Sequence, residues 1–285
     1  MEDRTPGKPI TLKVLRRMVA EGKPLAMLTC YDATTARWLA AGGVPMLLVG
    51  DSAAQVILGR DSSIHAPLQF MLELTAAVKR GAPNCFVMGD MPFMSYQASD
   101  AEAIHNAGRF LTEGTADAVK LEVDATFGDL VGKLSRAGVP VVAHLGWRPQ
   151  QARHAGVRTA LIAGKTAAEA RALVEQAELM EERGAAMLLI EQCPAEVSQR
   201  IVERLSIPLI GCGAGPACHG HVVVLQDLLG MSEKSPSFVK PIAAMGEALA
   251  KAASAWVDLI GSGKYLATDH PYHMAAGEAE RLARE

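Results

Sequence analysis

Short runs of Val, Ile, Leu and Met recur along the chain between longer segments of helical period. The runs are continuous rather than alternating, which is how strands read when both faces are covered. In order they are "LAMLTCYD" (25–32), "PMLLVGD" (45–51), "CFVMGD" (85–90), "AVKLE" (118–122), "VPVVAH" (139–144), "AMLLIE" (186–191), "IPLIGCG" (207–213) and "HVVVLQD" (221–227). Helices are expected between most of them, as in "SDAEAIHNAGRFLTEG" (99–114) and "KTAAEARALVEQAELMEERG" (165–184). Ser99, with Glu102 three residues on, has the pattern of a capping box. Gly81, Gly138 and Gly184 are expected to end helices. Two more helices are expected at 11–22 ("TLKVLRRMVAEG") and 240–261 ("KPIAAMGEALAKAASAWVDLIG"), both packed on the outside of the sheet.

Strands that alternate with helices imply a parallel sheet with crossover connections. A closed barrel and an open doubly wound sheet both satisfy that pattern. No G-x-G-x-x-G follows the first strand, and the length suits a barrel of about 250 residues. The expectation is a (β/α)8 TIM barrel with extra N-terminal and C-terminal helices. It would be one domain over 1–285, with a barrel core at about 24–230 and a helical extension at about 238–285. No internal repeat or low-complexity tract interrupts it.

Composition narrows the function classes. With 49% hydrophobic and 21% charged residues and a formal net charge of -3, the chain has no basic excess for nucleic acid. No apolar run approaches the roughly 20 residues of a membrane span, and "MEDRTPGKPI" has no apolar signal region. Five cysteines without a C-x-x-C pair fit reduced thiols. A cytoplasmic protein acting on small molecules, with no nucleic-acid or membrane partner, is expected.

The chemistry lies where the apolar runs stop. Asp32, Asp51, Asp90, Lys120 with Glu122, His144 and Glu191 stand at or near strand ends. In a barrel these ends converge on the face that carries catalysis. Lys120 and Glu122 are two apart and share one strand face. Confined carboxylates repel one another, so a positive partner is required, and an all-oxygen ligand set suits Mg2+. A single acid after a strand is commonly a helix N-cap, and Asp32 is the candidate for that role. "CGAGPACHGH" (212–221) holds two Cys and two His, but not at the spacing of a structural zinc site. Cys30, Cys193 and Cys212 read as small buried thiols. Met91, Phe93 and Trp147 are candidate pocket walls.

The motifs "VGDS" (49–52), "RGAPNCFVMGDMPFMSY" (80–96), "AVKLE" (118–122), "GVPVVAHLGWRPQ" (138–150), "LLIEQCP" (188–194) and "IPLIGCGAG" (207–215) occur in one order over residues 10–273. In that order they resemble the ketopantoate hydroxymethyltransferase family. The resemblance implies a homo-oligomer, commonly a decamer. It also implies transfer of a hydroxymethyl group from 5,10-methylenetetrahydrofolate to a 2-oxo acid through an enolate, with Mg2+. Carried over motif by motif, Asp51, Asp90 and Glu122 would hold the metal, and Asp51, Ser52, Asp90 and Lys120 would bind substrate. Glu191 would accept the proton, with Lys120 and His144 as its catalytic neighbours.

The departures from the family pattern leave every one of these acids in place and alter the loops over the pocket. Leu74 stands where the family usually has histidine, and Gln226-Asp227 replaces His-Asp. The stretch 152–165 lacks the family's glycine-rich pattern, and His219 and His221 replace an Asp and a Gln within 212–226. Loops set specificity on a barrel, so a different 2-oxo acid or one-carbon donor is compatible with the retained acids. A lyase or mutase of the phosphoenolpyruvate mutase and isocitrate lyase type would also use a barrel and Mg2+. Its characteristic "K-K-C-G-H"-like loop is absent here. An inactive scaffold is the non-catalytic reading, and it gives no reason to keep costly buried acids.

Overall fold

Each apolar run becomes a short strand whose alternate residues face two different hydrophobic layers. The computed structural model describes residues 7–154, 156, 161–266 and 270–284. The chain enters through helix α1 (Leu12–Ala20), strand β1 (Leu25–Thr29), α2 (Ala33–Ala41), β2 (Met46–Val49), α3 (Ala53–Val56) and α4 (Leu68–Gly81). It continues through β3 (Phe86–Asp90), α5 (Asp100–Thr112), β4 (Ala118–Glu122), α6 (Gly128–Arg136), β5 (Val141–Gly146) and α7 (Ala167–Glu182). Then follow β6 (Met187–Glu191), α8 (Ala195–Arg204), β7 (Leu209–Cys212), β8 (Gly220–Val223), α9 (Leu225–Leu228), α10 (Met245–Gly261) and α11 (Glu278–Leu282).

The strands pair in parallel in sequence order, and β8 closes on β1 through Leu25↔Gly220 to Leu28↔Val223. The result is the expected (β/α)8 barrel. Its period of two sorts every strand. Leu25, Met27, Met46, Leu48, Phe86, Met88, Ala118, Val142, Met187, Leu189, Ile210 and Val222 form the inner cluster. Leu47, Val49, Val87, Val119, Leu121, Val141, Ala143, Leu188, Ile190 and Leu209 join the outer one, beneath the helices. Both faces are apolar, which is why the runs are continuous. On the inner face, further along the same strands, stand Asp90, Lys120, Glu122, His144 and Glu191.

Helix α1 does not lie on the outside of the sheet, as its position in the sequence suggested. Leu15 is fully buried in the inner cluster, with Ile10, Leu12, Met18 and Val19 packed against it. The Ile10 N–H bonds Asn84 O, just before β3. The helix therefore stoppers the N-terminal end of the barrel. A single buried leucine there contributes about 2 kcal/mol.

Other local differences have local causes. β1 ends at Thr29 rather than Asp32. The expected last strand stops at Val223, and the Leu225 N–H turns onto Thr29 Oγ1 at 2.9 Å. Gln226 and Asp227 thus lie in the short helix α9. Gly138 and Gly184 take the left-handed φ of helix ends, +84° and +94°. Gly81 does not; it is the last residue of α4, where a Cβ would stand 2.3 Å from Ala33 O. Close approach of α4 to α2 explains that glycine. Ser99 caps α5 by accepting from Glu102 N, and Thr166 with Glu169 forms a complete capping box on α7.

The chain divides into two compact units. One comprises Met1–Gln226 with Pro236–Val239, and the other Asp227–Ser235 with Lys240–Glu285. In the second, the Ile242 and Met245 N–H groups bond the carbonyls of Leu228 and Leu229. None of the residues of α10 is buried.

Asp32 is the structural acid among the strand-end candidates. Its Oδ1 accepts from the N–H groups of Thr34 and Thr35, both at 2.8 Å, and its Oδ2 from Thr35 Oγ1 at 2.6 Å. Burial raises its pKa, but the hydrogen bonds outweigh burial and hold the carboxyl below its ordinary 3.8. Asp32→Ala should therefore cost about 1 kcal/mol at neutral pH. The wild-type contribution should be full above pH 4 and fade as pH falls through the depressed pKa. Urea titration at several pH values measures it, and an unchanged midpoint at pH 7 would rule the cap out.

Candidate active site

At the open end of the barrel, β3 to β6 deliver ionisable side chains and the loops after β2 and β5 close over them. Asp90 ends β3 and Lys120 lies beside it in register on β4. Lys120 Nζ is 2.7 Å from Asp90 Oδ1, with both side chains almost completely buried. Across the next pairing, Glu122 lies beside His144. His144 Nδ1 is 3.4 Å from Lys120 Nζ and 3.9 Å from Glu122 Oε1, and its Nε2 is 3.5 Å from Glu191 Oε2. Asp51 reaches the group from beyond β2, where its N–H donates to Asp90 Oδ2 at 3.0 Å. Its neighbour Ser52 exchanges a hydrogen bond of 2.8 Å with the Tyr31 hydroxyl. Asp51, Asp90, Lys120, Glu122, His144 and Glu191 thus form one linked network, with Ser52 beside it.

The charges are unequal. Burial works against the Lys120 ammonium, but Asp90, Asp51 and Glu122 outweigh it and hold its pKa above the ordinary lysine value. Lys120 is therefore charged at neutral pH. Burial, then the charge of Lys120, holds the His144 imidazole well below the usual histidine range, so that ring is neutral. Burial lifts the Glu122 carboxyl well above the carboxylate range against the pull of Lys120. It pushes Glu191 up to about 7, again opposed by Lys120. Four carboxyl groups face one ammonium, and burial raises three of them, Asp90 and Glu191 to about 7 and Glu122 further, so without more positive charge nearby the site holds protons.

Among the described residues, no group of three or more His, Cys, Asp and Glu side chains forms a ready cage for a metal ion. The donors that do meet are carboxylate oxygens, of which Asp90 Oδ1 is paired with Lys120 at 2.7 Å. Such a set fits a hard cation held by one or two carboxylates, with water and substrate completing the shell. The Cys/His stretch 212–221 offers no rival. His219 Nδ1 accepts from Leu209 N at 3.0 Å, and Cys218 is buried.

Two residues of the network lie outside the strand-end pattern. Gln150, just beyond β5, reaches Asp51 Oδ2 with its Nε2 at 3.0 Å, and its backbone N–H bonds Glu122 Oε2 at 2.9 Å. The Tyr96 hydroxyl accepts from Glu122 N and lies 2.8 Å from Gln150 Oε1. Both belong to the family-like motifs, but neither ends an apolar run. Met91 is buried in the outer cluster, whereas Phe93 is exposed. The backbone N–H of Trp147 bonds Glu191 O. Burial pushes the thiols of Cys30 and Cys193 up to about 12, leaving them protonated; Cys212 is half-buried. Leu74 packs against the outer cluster. Within the altered stretch 152–165, residues 155 and 157–160 lie outside the described residues.

The sequence profile of ketopantoate hydroxymethyltransferase matches residues 9–267. A 3-methyl-2-oxobutanoate hydroxymethyltransferase of Syntrophus aciditrophicus (strain SB) is 41% identical over 273 residues, covering 95% of this chain and 100% of that one. The chain belongs to the ketopantoate hydroxymethyltransferase family. It is an enzyme of the hydroxymethyltransferase class. A relative of the same name from Hyperthermus butylicus is 40% identical, covering 96% of this chain and 94% of its own. Among solved structures, a 2,3-dimethylmalate lyase of the PEP mutase/isocitrate lyase superfamily aligns with a TM-score of 0.59 at 16% identity, over 100% of this chain and 93% of that one. A phosphonopyruvate hydrolase complexed with oxalate and Mg2+ gives 0.60 at 12%, covering 96% of each. These distant likenesses show the shared barrel. No described helix is long and apolar enough to cross a membrane.

In this family member, the base candidate is seated by a glycine. Gly146 pairs with Glu191 across β5 and β6, has φ +85°, and would place a Cβ 2.3 Å from Glu191 O. Gly146→Ala should push the end of β6 aside and lower turnover by about tenfold or more, since misplacing a reacting group by about 1 Å can cost a hundredfold. Steady-state kinetics beside a thermal melt tests this, and full activity would show that the contact relaxes freely.

Proposed function

We propose that the enzyme transfers a hydroxymethyl group from 5,10-methylenetetrahydrofolate to a 2-oxo acid, either 3-methyl-2-oxobutanoate or a close relative. The observation that carries the reading is Glu191. It is a carboxyl of raised pKa at the end of a barrel strand; among the described residues His144 Nε2 and Gln192 Nε2 come within 3.5 Å of its oxygens. Asp51 and Glu122 are engaged by Gln150. Glu191 is therefore the acid best placed to exchange a proton with a ligand. The names of the relatives support the substrate.

In this reading the 2-oxo acid sits against Asp51, Ser52, Asp90 and Lys120. Lys120, charged in a water-poor site, offsets negative charge on the substrate carboxylate and on the keto oxygen as charge develops there. Glu191 takes the proton from the carbon next to the keto group, and the bonding pair moves toward the keto oxygen to give the enolate. Neutral His144 lies between Lys120 and Glu191, its Nδ1 3.4 Å from the ammonium and its Nε2, which makes no hydrogen bond, 3.5 Å from Glu191 Oε2. The enolate carbon bonds the one-carbon unit of the donor. Both bonds from that carbon to the folate nitrogens break, water supplies the hydroxyl, and the two nitrogens take up the proton held by Glu191 and the one left by water. Asp51 and Asp90, with Glu122 beside them, would hold Mg2+, which when bound supplies Lewis-acid charge that makes the substrate carbon more acidic.

Wild-type protein should exchange deuterium into the 2-oxo acid without folate and form product only with it. Glu191→Gln should lose exchange by about a hundredfold or more while still binding the oxo acid. NMR of the acid in D2O reads both, and undiminished exchange would remove Glu191 as the base. Carbon–carbon cleavage of a candidate oxo acid in the absence of folate would instead favour a lyase.

The pH profile follows from the same group. The base works as the carboxylate, so the exchange rate should fall as pH drops through about 7 and level off above it. A rate that stays flat from pH 5 to 8, roughly the window in which a raised carboxyl titrates, would exclude a base of this pKa.

A further inference from the structure

The catalytic steps leave a buried polar side chain of the site without a part. Gln150 is 3% exposed and lies in a single 3-10 turn, Pro149–Gln151, just past β5. Its Nε2 donates to Asp51 Oδ2 at 3.0 Å and to Met91 O at 3.1 Å. Its Oε1 accepts from the Tyr96 hydroxyl at 2.8 Å and from Gln97 Nε2 at 3.3 Å. Its backbone N–H donates to Glu122 Oε2 at 2.9 Å. A primary amide has two donor hydrogens and two acceptor lone pairs, and all four are used here. The orientation is fixed, because the flipped amide would set its oxygen against Asp51 Oδ2 and Met91 O.

One residue therefore ties together the segments that follow β2 and β3 and the end of β4. It grips one oxygen of Asp51 and one of Glu122. The third acid is held differently, since Asp90 Oδ2 accepts the Asp51 N–H while Oδ1 is paired with the Lys120 ammonium at 2.7 Å. Neutral donors are suited to such a grip. They fix a carboxylate in place and leave its charge intact, where an arginine or lysine would cancel it.

We propose that Gln150 is a positioning residue, holding one oxygen each of Asp51 and Glu122 so that their other oxygens serve a shared divalent cation. This rests on the proposal that these acids hold the metal. Tyr96 backs the device by fixing which end of the amide meets Asp51.

The test uses the full-length protein stripped of metal, with Mn2+ as the probe, followed by calorimetry and electron paramagnetic resonance. Wild type should bind Mn2+, and Asp51→Asn should abolish binding. Gln150→Met, which keeps length and apolar volume, should weaken binding by about 10- to 100-fold, the usual cost of removing a group that orients a ligand. Its deuterium exchange should recover as Mg2+ is raised, which a merely structural lesion would not allow. Wild-type affinity in Gln150→Met, or a loss of exchange that saturating Mg2+ does not restore, overturns the role of Gln150 and leaves the metal reading standing. Absence of binding in wild type, or undiminished binding in Asp51→Asn, overturns both. If Gln150→Met fails to unfold cooperatively, Tyr96→Phe takes its place. That variant should weaken Mn2+ binding severalfold, and unchanged affinity would count equally against the proposal.

Discussion

The buried ammonium of Lys120 governs the open end of the barrel. A charge removed from water is expensive unless it is paired, and Lys120 sits 2.7 Å from Asp90 with Asp51 and Glu122 close enough to hold its proton. Without it, the same acids would repel one another or take up protons. With it they are compensated in part, while burial still pushes three of them toward the protonated form. The neutrality of His144 follows from burial and from the same charge. So does the restraint on Glu191, whose carboxyl is lifted by desolvation but checked by the lysine.

The barrel makes that arrangement possible through register. Neighbouring parallel strands place Asp90 beside Lys120 and Glu122 beside His144. The period of two turns Lys120 and Glu122 to one side while Val119 and Leu121 face the helices. A slip of one residue in β4 would exchange those sets, putting valine in the site and charge under the helices. The apolar inner layers below the site resist any such slip.

Much of this is legible in the sequence because it depends on period and order. Continuous apolar runs mark the strands to within a few residues, and their terminal acids mark the residues that the structure brings together. Asp32 shows the limit of that rule, since an acid after a strand is also the simplest cap for a helix. Gln150 and Tyr96 show another limit. Each lies outside the strands and the α-helices, and its importance comes from hydrogen bonds to residues distant in the chain, from Glu122 N to Asp51 Oδ2. Helix α1 is plain as a helix, but its amphipathic pattern is the same whether its apolar face meets the outside of a sheet or the bore of a barrel. Gly81 looks like a helix-ending glycine in the sequence, whereas the close passage of Ala33 decides it.

The stopper formed by Leu15 turns the barrel from a tube into a cup. Beneath the titratable groups lie successive layers of methionine, leucine and valine, and among the described residues helix α1 packs beneath those. Solvent can screen the lysine and its acids from one side only. Field lines that would otherwise be lost through an open base are confined by low-dielectric walls and emerge at the mouth. The first helix, far from any reacting atom, thereby helps to set the strength with which the site calls in a charged ligand.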